Sequence, residues 1–345
     1  MKESPSDQQA KVDKYAGPGS DILLLETYPA HELPYDGLSG FFNVVKNIGT
    51  IIKDTKHTSG AKVLVCGIAP FYEDRLSVQN TNIIFTTFES DEVPLHWVES
   101  INRYHHCIVP HEAIKVKFES SGVITPISVI HQGYYRYKRG QMLKKKPKEF
   151  NVGFLGIPVN RKNMLKLYDA CKQLQASAIP EIKLHVHVSY FYDWLDTTPF
   201  KRIQSDEMIV WTSGNLSAEE VSDWYYKLSC YVFPSSGEGW SYTPRESMYL
   251  GIPTIITDIP VHKELIDSGF CKVIRTSGIE PADFNGATHG FWAKVEANEI
   301  KTSILDVYNR YDYFHTQALS GAAWIENEWF NENVVTRLKD LIVDL

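Results

Sequence analysis

Short apolar segments alternate with longer segments of helical periodicity along most of the chain. In the first part, the apolar runs predict strands and the segments between them predict helices. The predicted strands are residues 22–26, 62–66, 82–86, 107–109 and 127–130, and the predicted helices are residues 41–56, 94–104 and 111–121. This alternation is typical of a parallel α/β architecture.

The same pattern restarts near residue 150. It predicts strands at 151–155, 183–188, 208–211, 230–233, 254–257 and 271–274, and helices at 162–176, 217–228 and 243–250. Ser217 and Glu220 have the spacing of a capping box, which marks the start of one of these helices. The two series predict an α/β fold with two Rossmann-like domains. We expect a disordered tail at 1–19, a first domain at 20–135, a basic linker at 136–149, a second domain at 150–320, and a C-terminal helix at 321–345 that packs back toward the first domain.

Composition is that of an ordinary globular protein. The 345 residues are 43% hydrophobic, which is enough for two sizeable cores. No apolar run approaches the roughly 18 residues that span a bilayer, and the first 19 residues are polar, so we expect a cytoplasmic protein. The five cysteines are widely spaced and odd in number, which favours a packing role in a reducing compartment.

Charge is unevenly distributed. The net charge of -7 argues against nonspecific nucleic-acid binding as the main activity. One local exception is residues 134–148, where seven of fifteen residues are Arg or Lys, interleaved with three tyrosines. Two interpretations stay open: peripheral contact with an anionic membrane, acidic acceptor or single-stranded nucleic acid, or a solvated linker between domains.

Two carboxylates lie eight positions apart around a predicted strand-to-helix junction. Glu238 is in a Gly-flanked loop after strand 230–233, and Glu246 is in the first turn of helix 243–250. Open parallel sheets bind ligands at the carboxyl ends of their strands, so both side chains would face a cleft there. Carboxylates suit vicinal diols because their two oxygens accept from two hydroxyls. For Glu246 an alternative is a capping box with Thr243.

These residues carry a family resemblance. Glu238-Gly239-Trp240, Thr243-Pro244-Arg245-Glu246 and Gly251-Ile252-Pro253 resemble the E-x7-E motif of retaining GT-B glycosyltransferases, the family 4-like glycosyl transferases group 1. Segments 127–134 and 151–162 are similar to the end of the first domain and the beginning of the second domain in that family. The resemblance implies two Rossmann-like domains with parallel sheets facing a central cleft, no cofactor, and a nucleotide-diphosphate sugar as donor.

The resemblance also implies roles for residues of the second domain. Glu238 would accept hydrogen bonds from the transferred sugar, near Gly239, Trp240 and Ser241, and Glu246 from the ribose. Lys162 and Arg161 are the candidates for neutralising the leaving diphosphate. The family usually has Arg after the Gly that corresponds to Gly156, whereas Ile157 stands here, and Arg161 is the candidate substitute. The alternative is that both cations are solvated residues at a helix start.

Other candidate site residues follow from the same resemblance. Gly37, Ser39 and Gly40 precede a predicted helix and resemble a Gly-rich loop that approaches the donor phosphate and the acceptor. Glu89 ends a strand where the family often has a His, and a surface helix cap is its alternative. Gly214 and Leu216 lie in a strand-to-helix turn where a nucleobase edge would bind, and an ordinary strand-to-helix turn is the alternative.

No D-x-D motif occurs in the chain, and His105, His106 and His111 lack metal-ligand spacing, so we expect no metal site. The resemblance, together with the absence of a D-x-D motif, implies a retaining, metal-independent glycosyltransferase that uses a nucleotide-diphosphate sugar. A GT-B-type sugar-nucleotide epimerase and a catalytically silent sugar-nucleotide-binding subunit are the alternatives. The acceptor, which is a glycan, lipid, protein or modified nucleobase, is not specified by these motifs.

Overall fold

The structure is a computed structural model that describes residues 22–25, 50–52, 55, 58–132, 139–140, 146–328 and 331–345. Two compact units divide these residues. The first unit contains the described residues within 1–88, 92–133 and 329–345, and the second contains those within 89–91 and 134–328. The expected tail, most of the basic segment 134–148, and the candidates Gly37, Ser39 and Gly40 lie outside the described residues.

The first unit is built on a six-stranded parallel sheet with strand order β2-β1-β3-β4-β5-β6. Its apolar strands are nearly continuously buried, as expected for a parallel sheet. The strands are β1 (Ile22–Leu25), β2 (Thr50–Ile52), β3 (Lys62–Cys66), β4 (Thr81–Phe85), β5 (His106–Val109) and β6 (Ile127–Val129). The described helices are α1 (Leu95–Ile101), α2 (Glu112–Ser120) and, at the end of the chain, α10 (Asn331–Asp344).

Strand β2 corrects one prediction. The helix predicted at 41–56 includes residues that instead pair in parallel with β1, with Leu24 opposite Ile51. The segment Thr50-Ile51-Ile52 consists entirely of β-branched residues, whose side chains favour strands. The rest of that predicted helix lies outside the described residues.

The second unit contains another six-stranded parallel sheet, with strand order β12-β11-β10-β7-β8-β9. The first strand of this series, β7, lies beside the fourth, β10, which is the order of a doubly wound Rossmann fold. The strands are β7 (Phe150–Leu155), β8 (Ile182–Val188), β9 (Ile209–Ser213), β10 (Cys230–Phe233), β11 (Thr254–Thr257) and β12 (Lys272–Ile274). The helices are α3 (Met164–Ser177), α4 (Thr198–Ile203), α5 (Ala218–Tyr226), α6 (Tyr242–Tyr249), α7 (Lys263–Asp267), α8 (Ala297–Asn309) and α9 (Tyr311–Glu328).

The core of this unit is formed by the buried strands and by apolar faces of the helices that cover them. Leu167, Cys171 and Leu174 recur at helical spacing on α3 and pack into the same cluster as Val152 of β7 and Ile304 of α8. The cluster also includes Phe154 of β7 and Cys230 and Val232 of β10, so both strands are anchored in this core.

Local chemistry sets several helix boundaries. The predicted capping box is present: Ser217 Oγ accepts from the Glu220 amide at 3.3 Å, and Glu220 accepts from the Ser217 amide at 2.7 Å. Helix α3 begins at Met164 rather than at 162, because the segment Asn160–Lys162 forms a 3₁₀ turn. Helix α6 begins at Tyr242 rather than at 243, and Pro244 occupies its third position.

An antiparallel hairpin in the second unit was not predicted. It consists of β13 (Ile279–Phe284) and β14 (Ala287–Ala293). Its two-residue turn is Asn285-Gly286, both with positive φ of 56° and 90°, as a type I′ turn requires. The Asn-Gly pair is a strong sequence indication of such a turn.

The cysteines and the clustered histidines have structural surroundings. All five cysteines are free thiols, and four of them are buried. His105 Nδ1 accepts from the Asn82 amide at 3.0 Å, and His111 caps α2 by accepting from the Ala113 amide at 2.9 Å. The buried cysteines match the packing role expected from the sequence.

Candidate functional site

The candidate site lies where the strand order of the second sheet reverses. The turn Asn160–Lys162 follows β7, and the loop that contains Glu238 follows β10, the strand next to β7. In doubly wound sheets this switch point is where the loops diverge and leave a crevice for a ligand. The topology thus brings together residues that are 77 positions apart, such as Arg161 and Glu238.

Four charged side chains form one cluster there. Arg161 Nη1 donates to Glu238 Oε1, and Lys162 Nζ lies 3.3 Å from the same oxygen. Arg161 Nη2 also lies 3.3 Å from Glu89 Oε1. The side chains of Arg161 and Lys162 are only 15% and 17% exposed, so they are not the solvated residues of the alternative interpretation. Two cations and two carboxylates therefore balance each other in a largely buried cluster.

The ionisation of this cluster follows from its neighbours. Burial alone raises the pKa of Glu238, but Arg161 and Lys162, with a hydrogen bond from Ser235, outweigh burial and lower it to about 2. Burial lowers the pKa of Lys162 and the nearby Arg161 lowers it further, with partial compensation by Glu238. Burial also opposes the charge of Arg161, but Glu238 and Glu89 raise its pKa above the ordinary value. At neutral pH Glu238 is an ionised carboxylate that accepts hydrogen bonds.

Asn163 joins the two loops. Its backbone is left-handed, with φ of 52°, and its Nδ2 donates to Pro234 O at 2.8 Å and Ser236 Oγ at 2.7 Å. The Ser236 amide donates in return to Arg161 O at 2.7 Å. The turn that carries the cations and the loop that carries Glu238 are therefore held in one fixed arrangement. The sequence offered only a weak indication of this role, the tolerance of Asn for left-handed backbone.

Glu89 is held by the hairpin. Trp292 Nε1 donates to Glu89 O at 2.7 Å, and the Phe291 amide donates to Asp91 Oδ1 at 2.6 Å. A Cβ at Gly237 would lie 2.4 Å from Glu89 O, so only glycine fits between the Glu238 loop and this segment. Glu89 is not a helix cap, since α1 begins six residues later and its carboxylate pairs with Arg161. The sequence analysis did not identify Trp292 as a site residue. The Asn285-Gly286 pair predicts a hairpin turn, and a hairpin there would place Trp292 on its second strand.

Glu246 lies on α6, the helix that follows the loop containing Glu238. It is buried on α6 and accepts from Tyr225 Oη at 3.2 Å. The capping-box alternative is wrong, because the cap residue of α6 is Ser241 and Thr243 Oγ1 instead bonds Tyr231 Oη at 2.6 Å. Thr243 is already inside the helix, so it does not form a capping box with Glu246.

The remaining candidates lie in the loops of the same sheet. Gly239, Trp240 and Ser241 are buried between Glu238 and α6, with the Arg245 guanidinium 3.6 Å from the centre of the Trp240 ring. Gly214 has φ of 101°, and its carbonyl accepts from His187 Nε2 at 3.0 Å. Leu216 is half-buried just before α5.

Neither a metal-binding cluster nor a membrane-spanning helix occurs in the described part of the chain. Within the ranges given above, no group of three His, Cys, Asp or Glu side chains is arranged to hold a metal ion. Among the helices that the structure describes, none is both long and apolar enough to cross a membrane. Two residues of the basic segment 134–148 have described contacts. Arg139 forms an ion pair with Glu326 at 3.1 Å and stacks on the Tyr249 ring. The Nζ atom of Lys146 lies 3.7 Å from the ring centre of Tyr308.

The fold defines a class of protein. The two parallel α/β sheets are those of the GT-B fold, which other solved structures share. Anabaena Alr3699/HepE, crystallised in complex with UDP and glucose, is 11% identical with a TM-score of 0.68 over 94% of this chain and 99% of its own. A mutant of S. aureus TarM in complex with fondaparinux, α-GlcNAc-glycerol and UDP is 14% identical with a TM-score of 0.62, over 81% of this chain and 55% of its own.

The sequence matches cover less of the chain than the structural matches do. Residues 149–289 match the family model of glycosyl transferases group 1. The lipopolysaccharide core biosynthesis mannosyltransferase LpsB of Rhizobium meliloti is 39% identical over 49 residues, which are 14% of each chain. This chain therefore spans about half the length of TarM and a small part of LpsB. The family match thus covers part of the second unit, and the similarity to the solved structures is one of fold.

Proposed function

We propose that this protein is a retaining, metal-independent glycosyltransferase that moves a sugar from a nucleotide-diphosphate sugar to an acceptor hydroxyl. The observation that carries the proposal is the buried cluster of Arg161, Lys162 and Glu238 at the switch point of the second sheet. It places two cations beside an ionised carboxylate, which is the combination that a donor with a diphosphate and a polyhydroxylated sugar requires.

The cations act on the leaving group. Transfer breaks the anomeric C–O bond, and its electron pair stays with the diphosphate, whose charge grows as the bond lengthens. Arg161 and Lys162 stabilise that charge, and because they are held in place before reaction, little reorganisation is needed. The chain has no D-x-D motif, and these two side chains supply positive charge that a chelated metal supplies in other transferases.

The carboxylates orient the donor. Glu238 accepts hydrogen bonds from hydroxyls of the transferred sugar, and Glu246, on the helix after the loop, accepts from the ribose. Glu89 contacts Arg161 and holds it toward the switch point. In a retaining reaction the acceptor oxygen attacks from the face that the diphosphate leaves. The leaving phosphate oxygen then takes the acceptor's proton, so no protein base is required.

UDP-sugars are the first donors to test, since Alr3699/HepE and TarM were crystallised with UDP. GDP-mannose belongs in the same panel, because LpsB is described as a mannosyltransferase. A bound donor stabilises the folded protein by RT ln(1 + [L]/Kd), so thermal shifts with UDP-, GDP- and ADP-sugars rank the bases directly.

Product analysis with the best donor tests the reaction itself. We expect the sugar on an acceptor with the donor's anomeric configuration by NMR, and full activity in EDTA. Release of an epimerised sugar nucleotide would instead identify an epimerase, and donor binding without turnover a silent subunit. An inverted product, or loss of activity in EDTA with recovery in Mn²⁺ or Mg²⁺, would contradict the proposed mechanism.

A further inference from the structure

Ser241 has an unusual backbone conformation for its residue type. It lies at the start of α6 with φ of 70° and ψ of 82°, in the left-handed region. The other described non-glycine residues with positive φ are Asn163 and Asn285, a residue type that tolerates this region. Glycine would adopt the same backbone without strain. What serine adds at this position, relative to glycine, is its hydroxyl.

That hydroxyl belongs to a buried pair. Ser241 Oγ lies 2.8 Å from His262 Nε2, and His262 Nδ1 lies 2.9 Å from Thr257 O. A carbonyl oxygen only accepts, so Nδ1 carries the hydrogen, and in the neutral ring Nε2 must be the acceptor. Ser241 consequently donates its single hydrogen to His262. The ring is fully buried and packs near Phe233, with 5.9 Å between ring centres.

The pair lies beside the proposed sugar site. Ser241 is three residues after Glu238 in the same loop, and His262 is within electrostatic reach of the Glu238 carboxylate. The loop backbone is fixed as well, because Arg245 Nη1 donates to Trp240 O and, at 3.0 Å, to Ser241 O. The position of Ser241 Oγ relative to Glu238 is therefore set by contacts on both sides of the loop.

With its hydrogen engaged by His262, Ser241 Oγ offers only lone pairs to any further partner. Ionised Glu238 likewise only accepts. We propose that Ser241 is a specificity-determining contact to the transferred sugar, and that His262 is the positioning residue that fixes its oxygen as an acceptor. The donor sugar must then present hydroxyl hydrogens to this loop, which favours a neutral hexose over a uronic acid. This inference rests on the proposed function.

A comparison of donors that differ at one hydroxyl tests the contact. The probes are the sugar nucleotide that the wild-type protein turns over and its deoxyfluoro analogues, in which fluorine cannot donate. In the wild type we expect one analogue to lose about 10-fold in kcat/KM through Ser241, the size of one hydrogen bond. In Ser241→Gly, which relieves the backbone strain, that analogue's penalty should fall below about threefold, while the analogues that report on Glu238 keep theirs.

The role of His262 is tested by non-additivity. His262→Phe and Ser241→Ala should each lose a similar factor with the parent donor, and the double variant should lose no more than either. Affinity for UDP alone should stay within about twofold in all variants, because the pair acts on the sugar and not on the nucleotide. Thermal unfolding confirms that each variant is folded.

Three results separate this inference from the proposed function. If the wild type turns over the donor and Ser241→Gly shows the same deoxyfluoro penalties as the wild type, the contact alone is overturned. If the variants lose affinity for UDP and for the sugar nucleotide in parallel, the contact alone is likewise overturned. Absence of turnover of every donor by the wild-type protein would overturn the proposed function and this inference with it.

Discussion

Replacement of Lys162 by alanine tests the proposed chemistry most directly. Arg161, Lys162, Glu238 and Glu89 carry two positive and two negative charges, and Lys162 Nζ lies 3.3 Å from Glu238 Oε1. The substitution leaves a net charge of about -1 beside the leaving diphosphate. For a separation of about 5 Å and an effective dielectric constant of about 20, one unit charge is worth about 3 kcal/mol.

That energy sets the expected size of the effect. Since about 1.4 kcal/mol corresponds to a tenfold change in rate, the loss is on the order of 100-fold. The charge on the diphosphate is larger in the transition state than in the bound donor, so Lys162→Ala should lower kcat more than it raises the donor KM. Lys162→Arg should recover only part of the loss, because a forked guanidinium does not occupy the place of a compact ammonium.

The assay is steady-state transfer of labelled sugar, measured with the donor identified by thermal shift. Lys272→Ala is the matched control, since Lys272 also forms a partly buried ion pair, 2.6 Å from Asp306, away from the site. We expect that variant to keep wild-type kinetics. Arg161→Ala is measured alongside because Arg161 contacts both carboxylates. If both single variants and the double variant retained near-normal kcat, the cations would have no part in stabilising the leaving group.

Three further predictions concern the carboxylates and the loop. Glu246→Ala should weaken nucleotide binding, measured by calorimetry, and Glu238→Ala should mainly lower turnover, each by about 1.5 to 3 kcal/mol. Wild-type values in both variants would refute the assignment of Glu246 to the ribose and of Glu238 to the sugar. The pKa of Glu238 is lowered to about 2, so its stabilising contribution of about 3 kcal/mol is complete above about pH 4.5 and is lost as pH falls toward 2. Unfolding of Glu238→Gln should lack this component, and identical pH profiles would count against an ionised Glu238. Gly237→Ala should lower the melting temperature and turnover together, since its Cβ would lie 2.4 Å from Glu89 O, and an unchanged melting temperature would show that the segment yields freely.

The sequence was sufficient for the sheets of the second unit. Buried parallel strands read as short continuous apolar runs, and the predicted strands 230–233 and 254–257 coincide with β10 and β11. The prediction of a helix through Thr50–Ile52 was wrong, because a three-residue strand inside a helical pattern has too little periodicity of its own to be recognised.

Site residues were predictable where a motif supplied them and not where only tertiary contacts do. Glu238, Lys162 and Arg161 follow from motifs near strand ends, and parallel topology brings those ends together. Asn163 and Trp292 act through hydrogen bonds to backbone atoms of distant segments, and no local pattern specifies such partners. At Glu246 the local pattern is misleading, because Thr243 and Glu246 have the spacing of a capping box that the structure does not form.

The bond from Trp292 Nε1 to Glu89 O joins residues separated by 203 positions in the chain. During synthesis on the ribosome, the Glu89 segment emerges long before the hairpin that holds it. Contacts of such sequence separation form late, because a long loop must close first. Arg161 and Glu238 are both available before the hairpin is made, so the charged cluster gains Glu89, its second carboxylate, only after the hairpin has folded.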